Sequence, residues 1–129
     1  MEIEEDSTLL DLLWSDPHDK QTTQWESNSM RCCSYYFSPI HSRNFLLNNK
    51  LSLIIRAHEV VQKGYKYQYA NNATSPQTLT IFSAPNYCDT YENKAAALVI
   101  KVVVSTFRMA VCPSRHLPKS STHLCLITI

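Results

Sequence analysis

A single glycine, Gly64, serves the whole of this 129-residue chain. Folded domains average about 7% glycine, because glycine takes left-handed backbone without a steric penalty and so makes the tightest turns. Here reversals of direction must fall on Asn, Asp, Ser and the six prolines, which set a turn by hydrogen-bonding nearby backbone or by fixing φ. Such residues divide the sequence into short segments.

The length suits one domain, or part of one, with a modest core. With 44% apolar and 18% charged residues the composition is globular, not disordered. A net charge of +1 with scattered basic residues gives no general attraction to nucleic acid or to an acidic membrane. The acidic start, MEIEEDSTLLDLLWSDP, lacks the pattern of a signal peptide. The longest apolar stretch, Ala95 to Val104, is broken by Lys101 and is about half the roughly 20 residues of a membrane span. Five cysteines, two of them adjacent at Cys32 and Cys33, are an odd number and suggest reduced thiols. The expectation is a cytoplasmic protein, with the nucleus also open to it, whose sequon at Asn72-Ala73-Thr74 stays idle.

Along the chain, Ser7 to Trp14 carries Leu at 9, 10, 12 and 13 and fits either a short helix or an extended apolar strip ending at Ser15-Asp16-Pro17. His18 to Met30 is polar and reads as a surface loop. Cys33 to Phe37 is a short strand by composition. Ser38 before Pro39 is a helix start, since the serine oxygen caps free N–H groups and proline suits the first helical position. This helix is expected to end near Asn49, with Phe45 and Leu46 facing the core. Strands follow at Leu51 to Arg56, Tyr65 to Ala70, Thr78 to Ser83 and Ala95 to Val104, with a turn at Lys63-Gly64 and a loop from Asn71 to Gln77. From about Ser105 no sustained period remains, and the expectation is a poorly packed tail.

Two apolar runs end abruptly in polar groups: IIRAHE at Ile54 to Glu59 and LTIFSAPNYCD at Leu79 to Asp89. Polar side chains at the ends of buried strands are rigidly held and open to a cleft, where binding groups are usually found. His58 and Tyr87 follow two such strands and converge if those strands are neighbours that share an end. Taken alone, a histidine ending a strand is more often a satisfied polar residue than a metal ligand. Arg31 alone reads as an exposed charge with a weak surface pair, and Tyr87 as an aromatic cap whose hydroxyl reaches water. Cys112, His116, His123 and Cys125 in the tail contain no CxxC pair, so zinc there is the weaker reading.

Taken together, LLWSDP (Leu12 to Pro17), RCCSYYFS (Arg31 to Ser38), IIRAHE, GYKY (Gly64 to Tyr67), IFSAPNYCD (Ile81 to Asp89) and NKAA (Asn93 to Ala96) resemble the C-terminal part of the metal-dependent serine/threonine phosphoprotein phosphatases. The calcineurin catalytic-subunit branch is the nearest match, in order and spacing, from about Leu9 to Lys101. The resemblance implies an α/β fold, a partial calcineurin-like metallophosphoesterase that is mostly an antiparallel β-meander with one short helix and lacks the N-terminal half. It implies that His58 ligates one of two active-site metals, an iron–zinc pair or manganese, that Arg31 grips the substrate phosphate, and that Tyr87 flanks it. Trp14 and Asp16 match a motif near the substrate groove and take no catalytic role. Two metals about 3.5 to 4 Å apart generate a hydroxide and clamp phosphoryl oxygens, arginine's planar fork suits phosphate, and neutral imidazole suits Zn, Fe or Mn. In this picture Arg56 is expected to brace its loop rather than touch substrate.

The family's remaining metal ligands lie in motifs of the form GDxHG, GDxxDRG, GNHE and HGG, none of which occurs in these residues. The glycine that follows the phosphate arginine in the family is Cys32 here, and the glycine-rich phrase before it is TTQWESNSM. Residues 1–101 are thus expected to be the C-terminal portion of a phosphatase catalytic domain, and 102–129 a divergent tail. The family acts on phosphoproteins. This chain alone is expected to be inactive, the alternative being a non-catalytic fragment that acts as an interaction module. Neither a calcineurin-type regulatory subunit, whose docking helix has no match here, nor nucleic acid nor membrane is expected as a partner. The uncovered sheet predicts marginal stability or oligomerisation.

Overall fold

The computed structural model describes residues 8–68, 76–103 and 106–114. They divide into two compact units, one of residues 8–54, 67–68 and 76–79 and one of 55–66, 80–103 and 106–114.

The first unit opens with helix α1 (Thr8–Trp14), the helical alternative for the leucine-rich start. Strands β1 (Asp16–Pro17), β2 (Glu26–Ser27) and β3 (Tyr35–Phe37) form a sheet in the order β1-β3-β2. The Tyr-Tyr-Phe strand, rich in β-formers, takes the centre, parallel to β1 (Asp16 opposite Tyr36) and antiparallel to β2 (Glu26 opposite Tyr36). The segment expected as a polar surface loop thus contains a strand and, just beyond it, a buried residue, Asn28. Its polar composition reflects internal hydrogen bonding as well as solvent.

Helix α2 (Pro39–Asn49) begins where Ser38 and Pro39 predict it. The Ser38 Oγ accepts the N–H groups of Ile40 (3.2 Å) and His41 (3.3 Å) and donates to the Thr22 carbonyl (2.6 Å). His41 Nδ1 accepts the Ser38 N–H at 3.0 Å, so Nε2 carries the proton given to the Thr23 carbonyl at 3.1 Å. Trp25 stacks on this ring at 4.1 Å between centroids. Pro39, Ser42 and Leu46 are the buried stripe of α2. Phe45, expected in the core, is 52% exposed, because its neighbour Leu46 takes the inward direction and adjacent helical residues point about 100° apart. The helix ends on Lys50 in the left-handed region (φ 54°, ψ 39°), its N–H donating to the carbonyls of Leu46 and Leu47.

Strands β4 (Ile54–Arg56), β5 (Tyr65–Gln68) and β6 (Thr78–Ile81) form a second sheet in the order β4-β6-β5. A simple meander would have put β5 in the middle. Instead β6 lies there, which matches its burial, since Thr78, Leu79 and Thr80 are all solvent-free. The α/β class stands, with two α-helices among the described residues in place of one.

In the second unit, β7 (Ala95–Val103) pairs antiparallel with β8 (Thr106–Ser114) along its whole length, from Ala95 opposite Ser114 to Val103 opposite Thr106. The stretch read as tail therefore begins with a strand; residues 115–129 lie outside the described residues. Pro113 gives β8 no N–H at that position, which suits an edge strand. The turn at Gly64 lies close against the backbone at the start of β7. The Gly64 N–H donates to the Val61 carbonyl (2.9 Å), its carbonyl accepts from Phe82 N–H (2.8 Å), and Ala96 N–H donates to the Phe82 carbonyl (3.0 Å). Gly64 has φ +81°, and a side chain there would place Cβ 2.5 Å from the Ala95 carbonyl carbon.

Candidate functional site

Left-handed backbone falls on residues other than glycine in this glycine-poor chain, and its location is informative. Among the described residues, eight other than glycine have positive φ: Cys32, Ser34, Lys50, His58, Asn86, Cys88, Asp89 and Glu92. Lys50 caps a helix; the other seven all fall in the loops that carry Arg31, His58 and Tyr87. Left-handed non-glycine residues cost on the order of 1 to 3 kcal/mol and gather at functional sites, where surrounding contacts enforce them.

Arg31 lies in the turn between β2 and β3, beside Cys32 at φ +58°. Its Nε donates to Asp16 Oδ2 at 2.9 Å, and its guanidinium carbon lies 5.7 Å from the centre of the Trp14 ring, within cation–π range. The first unit thus brings together Trp14, Asp16 and Arg31 of the recognised motifs. The side chains of the ion pair are only 24% and 11% exposed, so water screens it less than a surface pair.

His58 follows β4 at φ +69° and is exposed. On either side of it in sequence, Arg56 Nη1 donates to Glu59 Oε2 at 2.9 Å, a largely buried pair on the arginine side that braces the loop. Tyr87 stands on the single-turn 3₁₀ helix Tyr87–Asp89 and is 44% exposed. Its ring meets Phe82 edge-to-face at 5.2 Å and Tyr91 at 6.0 Å. β4 and β6, the strands that lead to His58 and Tyr87, are neighbours in their sheet.

Two residues to which the motifs assigned no role organise these loops. Asn93, 4% exposed, accepts Tyr87 N–H on Oδ1 (2.9 Å) and donates through Nδ2 to the carbonyls of Ala84 (2.8 Å) and Lys94 (3.1 Å), while its backbone carbonyl accepts Asn86 N–H (2.9 Å). Asn28 does the same around Arg31. Nothing in the sequence separates a buried asparagine that holds a loop from an exposed one that merely turns it.

Among the described residues, no group of three or more His, Cys, Asp or Glu is placed to hold a metal ion. His58 alone does not make a metal centre. Of the tail residues considered for zinc, His116, His123 and Cys125 lie outside the described residues. No described helix is long and apolar enough to cross a membrane.

No family model matches the chain. It is 40% identical over 120 residues to the serine/threonine-protein phosphatase 2B catalytic subunit A1 of Saccharomyces cerevisiae, an alignment covering 83% of this chain. Its structure is similar to that of a serine/threonine phosphatase from Saccharomyces cerevisiae with similarity to human phosphatase PP5, at a TM-score of 0.65 and 26% identity over 90% of this chain. The chain spans 22% of the first relative and 37% of the second.

Proposed function

We propose that this chain, which is 40% identical to part of a serine/threonine-protein phosphatase 2B catalytic subunit, is a C-terminal portion of a metal-dependent serine/threonine phosphoprotein phosphatase and supplies the phosphate-facing loops of such an enzyme. In this reading Arg31 grips the phosphoryl group, Tyr87 flanks it, and His58 offers one imidazole to the metal centre. The observation that carries the reading is the coincidence of motif and strain: Arg31 adjoins a left-handed residue, His58 is one, and Tyr87 lies between two, at Asn86 and Cys88. Strain of this kind persists where geometry matters more than local stability.

The described residues do not fit a complete metal centre, so no hydrolytic step follows from them alone. The family's iron–zinc pair or manganese, its phosphoprotein substrates and a cytoplasmic or nuclear location belong to the same proposal. So does a division into a phosphatase segment over residues 1–101 and a divergent extension over 102–129.

The experiment has two arms. The purified chain with Mn²⁺ and a phosphopeptide or aryl phosphate should give no turnover above buffer; manganese-dependent turnover lost in His58→Ala would overturn its inactivity. Residues 9–101, exchanged into the corresponding segment of the yeast 2B subunit, should support hydrolysis that Arg31→Ala cuts by about 100-fold, the typical cost of losing a group that stabilises transition-state charge. Full activity in that variant would remove Arg31 from the site.

A further inference from the structure

Arg31 is held by more than its ion pair. Asn28 is 1% exposed, and its amide uses all four of its hydrogen-bonding positions. Nδ2 donates to Asp16 Oδ2 at 2.9 Å and to the Trp14 carbonyl at 3.3 Å. Oδ1 accepts the backbone N–H groups of Met30 (3.2 Å) and of Arg31 itself (3.1 Å). The Asn28 N–H donates to the Ser34 carbonyl at 2.9 Å, closing the turn from the far side.

One oxygen therefore has two donors. Asp16 Oδ2 receives both Asn28 Nδ2 and Arg31 Nε, each at 2.9 Å. Asn28 thus fixes Arg31 twice, through the backbone of its turn and through the carboxylate that anchors its side chain. A guanidinium is planar, so holding Nε sets the plane of the whole fork, and the Trp14 ring lies 5.7 Å away. A buried carboxylate is tolerable only when its lone pairs are used, and here they are used to aim an arginine.

We infer that Asn28, acting through Asp16, is a positioning residue that sets the orientation of the Arg31 guanidinium for phosphate. The phosphate part rests on the role proposed for Arg31. The orientation does not.

Two near-isosteric variants test it in the full 129-residue chain. Asn28→Asp keeps an oxygen for the Met30 and Arg31 N–H groups but sets a second oxygen against Asp16 where a donor stood. Asp16→Asn removes the charge that Arg31 Nε meets. The readout is the Arg31 ¹⁵Nε–¹Hε resonance, assigned by its loss in Arg31→Lys, together with backbone amide exchange in α2. Both variants should speed exchange of the Arg31 Nε–H by roughly ten-fold or more while the α2 amides keep their protection, a change that a merely structural role for Asn28 would not produce. Unchanged Nε–H exchange in Asn28→Asp would overturn the relay. Titration with inorganic phosphate separates the second issue. Wild-type Arg31 should shift, with an apparent affinity weakened about ten-fold in Asn28→Asp, as expected for a binding group moved off its geometry. A wild-type Nε–H that phosphate leaves unmoved would overturn the phosphate role of Arg31 while leaving the relay in place.

Discussion

Cys32 occupies φ +58°, a conformation that its side chain resists and that glycine takes freely. Replacing it should relieve that strain: Cys32→Gly is expected to stabilise the turn locally by about 1 kcal/mol, read as roughly five-fold slower hydrogen exchange of the Met30 and Arg31 amides that Asn28 accepts. Unchanged or faster exchange would mean that Cys32 stores no such strain. The substitution of glycine by cysteine was legible from the motif. The asparagines were not. Asn28 and Asn93 matter through burial and through four and three side-chain hydrogen bonds respectively, and burial at a loop position depends on which distant segments cover it. Trp14 and Asp16 lie 14 and 12 residues before Asn28, too far for any local pattern to register.

Helix α2 shows what local sequence does specify. Ser38 and Pro39 fix its start by a short-range hydrogen-bonding rule, and the start falls where that rule places it. Strand order is a different kind of information. The composition of β4, β5 and β6 marks each as a strand, but the placing of β6 in the middle is decided by which pairing buries its threonines and leucine, a choice made at long range. Strand β8 was missed because pairing with β7 gives its backbone hydrogen bonds that its own irregular sequence does not advertise. The clearest element-scale test is the loop that meets β7. Gly64→Ala puts a Cβ 2.5 Å from the Ala95 carbonyl carbon and 2.7 Å from the Ala96 nitrogen, so backbone must move against backbone. The expected cost exceeds about 3 kcal/mol, seen as lost amide protection at Phe82 and Ala96; protection at the wild-type level would refute the close approach.

For the molecule as a whole, the buried apolar side chains other than proline among described residues up to Ile100 are Leu46, Val61, Leu79, Ala95 and Ala96. Two of these are alanines, and a fully buried Leu or Val contributes only about 1.5 to 3 kcal/mol, whereas Leu12, Met30 and Leu47 remain exposed. The chain alone is therefore expected to unfold broadly on heating, without a sharp heat-capacity peak; a single cooperative transition of the monomer would count against this. The left-handed residues carry one more consequence, which concerns chirality. Each is a point at which an L-amino acid occupies the basin natural to its mirror image. At exposed Lys50, where the N–H still caps Leu46 and Leu47, a chemically ligated chain with D-lysine would hold the same backbone without opposition from its own stereocentre. In this fold, handedness and sequence are separable variables, and the helix terminus is where synthesis can set one against the other.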